Sequence, residues 1–148
     1  MSELPNESIE GSNVRENIVR FESIIHSTDL IKWLEILKQV QIPGGYIVGG
    51  AIRNTVWKEV YPDSSLTVND VDIPYYSKDL PPKADKEFDR QLSSLFPNAE
   101  WECANQAWVH LYKRSDGGEW VMPNAPYESL EDSMRDFWFS VNTIGIRL

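Results

Sequence analysis

Cysteine is nearly missing from this 148-residue chain. Cys103 stands alone, which excludes an intramolecular disulfide and any zinc site built from several cysteines. Basic charge is also scarce: 14 Lys and Arg face 23 Asp and Glu, for a net charge of −9. Such a chain repels a phosphate backbone unless its cations gather on one face, and here they are scattered. A long nucleic-acid partner is therefore disfavoured. No apolar run approaches the roughly 20 residues that span a bilayer. The first twenty residues carry no apolar core of the kind a secretory leader needs, so the expected location is cytoplasmic.

What is present reads as one mixed α/β domain. Residues 1–13 are polar and acidic and are expected to be flexible, with a single domain over 14–148. Val14, Ile18, Phe21 and Ile25 recur at helical spacing. A second helix, capped by Ser27, Thr28 or Asp29, turns Ile31, Leu34, Leu37 and Val40 to one side and stops at Pro43. Tyr46–Val48 is a short buried strand, and Ala51–Val60 a helix. Val71–Tyr76 returns to strand, where Pro74 suggests an edge or a bend. A helix over Lys83–Phe96 should point Ala84, Phe88, Leu92 and Leu95 inward, and Trp101–Cys103 is a third strand. Asn105–Tyr112 fits strand or short helix, and Ser115–Gly118 a turn. Ser129 can cap a helix beginning SLED, and Ser140–Leu148 ends as a strand.

Chemistry concentrates in "YIVGGAIRNTVWKEVYPDSSLTVNDVDIPYY". Strand, Gly49–Gly50 turn and helix together make an anion site. Glycine admits close approach of a phosphate, and the free N–H groups of the helix start point at it. Arg53 and Asn54 lie in the first turn and can add charge-assisted donors. About twenty residues later, Asp70 and Asp72 sit two apart on a strand and so share a face. Two carboxylates together call for a cation between them, and Mg²⁺ held by carboxylates and phosphate oxygens is the usual solution. Alone, each motif is weak. A Gly-Gly turn joins strand to helix without any ligand, and Asp-x-Asp arises by chance in an acidic chain. Together they place a phosphate cradle beside metal ligands, as a nucleoside triphosphate requires.

The segments GGAIRNTVWKEV, VNDVDIPYY, WECANQAWVHLY, PYESLEDSM and IGIRL keep one order from about Gly45 to Leu148. Together they resemble a nucleotidyltransferase-like family of the DNA polymerase beta superfamily. The resemblance implies an α/β (α+β) fold, a small mixed β-sheet flanked by helices. It implies transfer of a nucleoside monophosphate from an NTP such as ATP, with two divalent metals, Mg²⁺ or Mn²⁺. Gly49 and Gly50 match the triphosphate-binding glycines and Asp70 and Asp72 the metal ligands. A third carboxylate, catalytic and metal-binding, falls on Glu102, with Glu100 as its alternative. Trp108 stands where the family segment, NQARMH, has arginine. Relatives often continue past the last strand, so an acceptor-selecting helical region is expected to be absent.

Asn105 is a helix cap or a substrate contact, and His110 a substrate contact or a partly buried histidine. Trp101, Trp108, Trp120 and Trp138 offer core packing or a base-stacking platform, with packing favoured. Cys103 reads as a small buried hydrophobe. The expected acceptor is a small-molecule or protein hydroxyl. Two other readings stay open: an antitoxin-like adenylyltransferase acting on a partner protein, and an inactive domain that uses the fold for binding.

Overall fold

A computed structural model describes residues 7–111, 125–136 and 144–148. The first helix, α1 (Glu7–Ser27), begins inside the segment expected to be flexible. Its C-terminal half packs on the body through Ile24, Phe21 and Ile25, while Val14 and Ile18 stay exposed. Helix α2 (Asp29–Val40) buries Leu30, Trp33, Leu34 and Leu37, a face rotated from the expected one. Thr28 occupies its N-cap position, but the hydroxyl donates to the Ile24 carbonyl of α1 instead of capping. Gln41 ends α2 in the left-handed region (φ 58°), and its N–H returns to Leu37 O.

Strand β1 (Ile47–Val48) leads into α3 (Gly50–Val60), and β2 (Asp70–Tyr75) follows the expected loop. Helix α4 (Ala84–Leu95) carries the chain across to β3 (Glu100–Asn105), and a 3₁₀ turn covers Val109–Leu111. Helix α5 (Leu130–Arg135) starts where the sequence places it, with Ser129 Oγ accepting the Asp132 N–H at 3.0 Å. Strand β4 (Gly145–Ile146) closes a sheet of order β3-β2-β1-β4. β2 and β3 are parallel, joined by α4, while β1 is antiparallel to both β2 and β4. Ser115–Gly118, Trp120, Trp138 and the first part of the expected last strand lie outside the described residues.

Pro74 is not on an edge strand: β2 lies between β3 and β1. Its carbonyl accepts the Tyr46 N–H at 3.3 Å, so the side of β2 lacking an N–H faces the start of the two-residue β1, where pairing ends anyway. Leu95, expected inside, is 42% exposed. Phe96 instead turns toward the core as the helix stops, meeting Trp33 edge-to-face at 6.4 Å; Trp101 meets the same ring at 6.3 Å. Cys103 is buried as expected, and burial, reinforced by Asp89, pushes its thiol well above the usual range.

Beneath the sheet lies a polar knot. Asp85, buried on α4, accepts the Tyr75 hydroxyl at 2.6 Å and the Asn105 N–H at 3.2 Å. The fully buried Asn105 amide donates to the Ser77 and Leu80 carbonyls and accepts from the Ser77 and Ala107 N–H groups. Truncation at Asn105 would orphan several buried groups. Asn105→Ala should cost about 3 kcal/mol and lower Tm by roughly 6–12 °C. Lys32→Ala breaks only an exposed ion pair with Asp29 and should cost less than about 0.5 kcal/mol; thermal denaturation of both variants checks the contrast.

Candidate active site

β2 alternates. Val71, Ile73 and Tyr75 are fully buried under the helices, which turns Asp70 and Asp72 to the other face. β3 does the same, burying Trp101, Cys103 and Asn105 and leaving Glu100 and Glu102 outside. Parallel pairing sets Asp70 beside Glu100 and Asp72 beside Glu102. Four carboxylates therefore share one face of two neighbouring strands.

They are not equivalent. Carboxylate oxygens of Asp70, Asp72 and Glu102 all lie within 4.8 Å of one another. Glu100 is drawn aside: its Oε1 accepts the Asn69 amide at 3.0 Å. The geometry thus separates the two glutamates that sequence left as alternatives. A compact set of oxygen donors, two exposed and one half-buried, suits a hard divalent cation such as Mg²⁺ or Mn²⁺. Burial, with Asp70 and then Glu102 adding repulsion, raises the Asp72 carboxyl to about 6.

The glycines meet the site from β1, which pairs Val48 with Asp72. Gly49 adopts φ 62°, ψ −121°, a conformation that L side chains rarely reach, and its carbonyl accepts the Arg53 N–H at 3.0 Å to start α3. At Gly50 an added Cβ would meet Arg53 Nη2 at 3.7 Å, an ordinary van der Waals contact, so among the described residues no side chain crowds the backbone there. Arg53 Nε donates to Asn54 Oδ1 at 3.0 Å, and its Cζ lies 5.5 Å from the Trp57 ring centre.

The remaining candidates lie at the end of β3 and just past it. Asn105 sits in the knot below, with both amide hydrogens and its carbonyl engaged. His110 is on the 3₁₀ turn, its ring 6.5 Å from Trp108, and its buried Nδ1 has no hydrogen-bond partner among the described residues. Trp108 donates its indole N–H to Leu80 O at 2.7 Å, tying the NQAWVH segment to the loop before α4. Trp101 is core. Sequence reading missed Asp85 and Asp89, which face β3, and Trp57, which carries Arg53. Helical i, i+4 spacing was the available signal for each pair.

The Asp72 carboxyl has a testable consequence for the metal-free chain. Its folded value is above its unfolded one, so between about 4 and 6 the folded state holds the extra proton. The resulting penalty is full above about pH 6 and disappears as pH falls toward 4. Asp72→Asn should raise metal-free stability at pH 7 by about 1–2 kcal/mol, partial exposure included, and flatten the profile between pH 4 and 6. Urea denaturation across that range in the presence of chelator measures both.

The sequence profile of a family described as nucleotidyltransferase matches residues 35–148. No curated protein matches the chain. Among solved structures, an NMR structure described as revealing a CCA-adding enzyme head domain superposes with TM-score 0.68 at 22% identity. The alignment covers 86% of this chain and 63% of that one, a likeness of fold. The mixed sheet, the Gly-Gly entry to α3 and the paired-strand carboxylates agree with both findings: the chain belongs to the nucleotidyltransferase family and has the nucleotidyltransferase fold.

Proposed function

We propose that the protein transfers a nucleoside monophosphate from an NTP to a hydroxyl of a small molecule or a protein. The observation that carries this reading is the convergence of Asp70, Asp72 and Glu102 within 4.8 Å on adjacent parallel strands. Family membership supports the triphosphate as donor. In this reading the Gly50 backbone and the first N–H groups of α3 bind the phosphates, with Arg53 and Asn54 beside them. Asp70, Asp72 and Glu102 hold the divalent metal, which when bound neutralises phosphate charge and activates the attacking oxygen. Glu102 also accepts the acceptor's proton as the new O–Pα bond forms and the Pα–O–Pβ bond breaks, releasing pyrophosphate. Holding donor and acceptor in line contributes the rest. The net charge of −9 favours a small or protein acceptor over long nucleic acid.

Label transfer from each α-labelled NTP, with Mg²⁺ or Mn²⁺, into a lysate of the source cell tests the reading. The native chain should label an acceptor, and Asp70→Asn/Asp72→Asn should abolish labelling. Glu102→Gln should slow transfer by about 10²–10⁴, whereas Glu100→Gln, engaged with Asn69, should stay within a few-fold. No transfer from any NTP, together with no metal-dependent NTP binding, would refute the assignment. A labelled protein band would identify the acceptor as a protein.

A further inference from the structure

Helix α1 outruns the body it packs on. Toward its end Ile24 is buried and Phe21 and Ile25 are partly covered, whereas residues 13–20 are all exposed. Three aliphatic side chains lie in that uncovered stretch, Val14, Ile18 and Val19, each more than half exposed. Helices in proteins owe most of their stability to a packed apolar face, and within the described chain this part of α1 has none. Its exposed side chains carry a pattern. Arg15 and Glu22 are two helical turns apart and so share one stripe of α1. Ile18 and Val19 lie between them, one on either side of that stripe. The stripe is about a third of a turn round the helix from the body-facing Phe21, Ile24 and Ile25. Among the described residues, neither Arg15 nor Glu22 enters an ion pair.

This patch is its own complement. A two-fold axis through the midpoint of Ile18 and Val19 sets a second α1 antiparallel to the first. Arg15 and Glu22 are equally far from that midpoint, so the axis lays Arg15 over the partner's Glu22 and Glu22 over the partner's Arg15. It also lays Ile18 over the partner's Val19, which closes an apolar centre between two ion pairs. Parallel pairing would oppose arginine to arginine and glutamate to glutamate, and that repulsion selects the antiparallel arrangement. We propose that α1 is a homodimerisation surface, joined antiparallel to α1 of a second copy about a two-fold axis between Ile18 and Val19. The same patch is used on both copies, so assembly stops at two. The inference is independent of the triphosphate reading, whose residues lie on the sheet and α3.

Sedimentation velocity of the full chain, at concentrations from about 1 to 100 µM, tests it. The native chain should be a dimer at the upper end and dissociate on dilution, as a small interface implies. By symmetry, Arg15→Glu or Glu22→Arg alone makes both ion pairs repulsive, and each should weaken dimerisation about tenfold or more. Mixing the two variant chains should restore the dimer, as should Arg15→Glu/Glu22→Arg in one chain. A folding defect would not be repaired in either way. Ile18→Asp buries two like charges at the centre and should leave a monomer throughout. A native chain that stays monomeric at the highest concentration would overturn the inference and leave the face to a different occupant. A dimer indifferent to these substitutions would overturn it by placing the interface elsewhere. Single-variant losses that neither mixing nor the double exchange restores would overturn the antiparallel pairing.

Discussion

The site depends on the register of β2 against β3, and two carboxylates of α4 hold that register from outside the sheet. Among the described residues β3 is at the edge of the sheet, and its outward N–H groups turn to α4. Asp89 accepts the Cys103 N–H at 2.7 Å and Asp85 the Asn105 N–H at 3.2 Å. Four residues of helix rise about 6 Å and two residues of strand about 6.6 Å, so an i, i+4 pair on α4 matches an i, i+2 pair on β3. Asp85 also takes the Tyr75 hydroxyl, so one carboxylate touches both strands near their C-terminal ends. A slip of one residue on β3 would break these bonds and turn Glu102 into the core.

That rigidity is what allows the carboxylates to crowd. Three acids on one face repel each other, and a loosely held strand would relieve the strain by turning one away. Here the alternation is enforced from the other side, where Val71, Ile73, Trp101 and Cys103 are buried. Burial, with the repulsion of Asp70 and Glu102 added to it, therefore shows as a raised Asp72 carboxyl on a regular strand. Asn69 relieves the fourth acid by binding Glu100. The result is a site whose electrostatic cost is concentrated on one half-buried group, and a cation would remove most of it.

How much of this the sequence discloses follows the range of each interaction. That the chain turns at Gly49 and that Asp70 and Asp72 share a face was legible, because turn chemistry and local period define both. The choice between Glu100 and Glu102 was not, since it depends on the pairing of strands some thirty residues apart and on an Asn69 contact across them. Asp85 was hidden for a related reason: a buried acid on an amphipathic helix looks like surface until its partners, a hydroxyl and a backbone N–H of two strands, are in place. Pro74 misled because proline is confined to places without a ladder partner, and a central strand supplies one where its neighbour is only two residues long. Trp57 was overlooked beside the buried tryptophans, though its spacing from Arg53 was readable.

An acidic chain with three converging carboxylates presents a phosphate with the wrong field. On the proposed reading, attraction has to be made locally from three sources: the cation at the carboxylates, the first N–H groups of α3, and Arg53. They are not independent. Without the cation the carboxylates oppose what the helix start and the arginine attract. Arginine suits such a place better than lysine, because a planar fork offers paired donors to phosphate oxygens where an ammonium offers a point charge. Beside the negative cluster of Asp70, Asp72 and Glu102, the cation is therefore the source on which the other two depend.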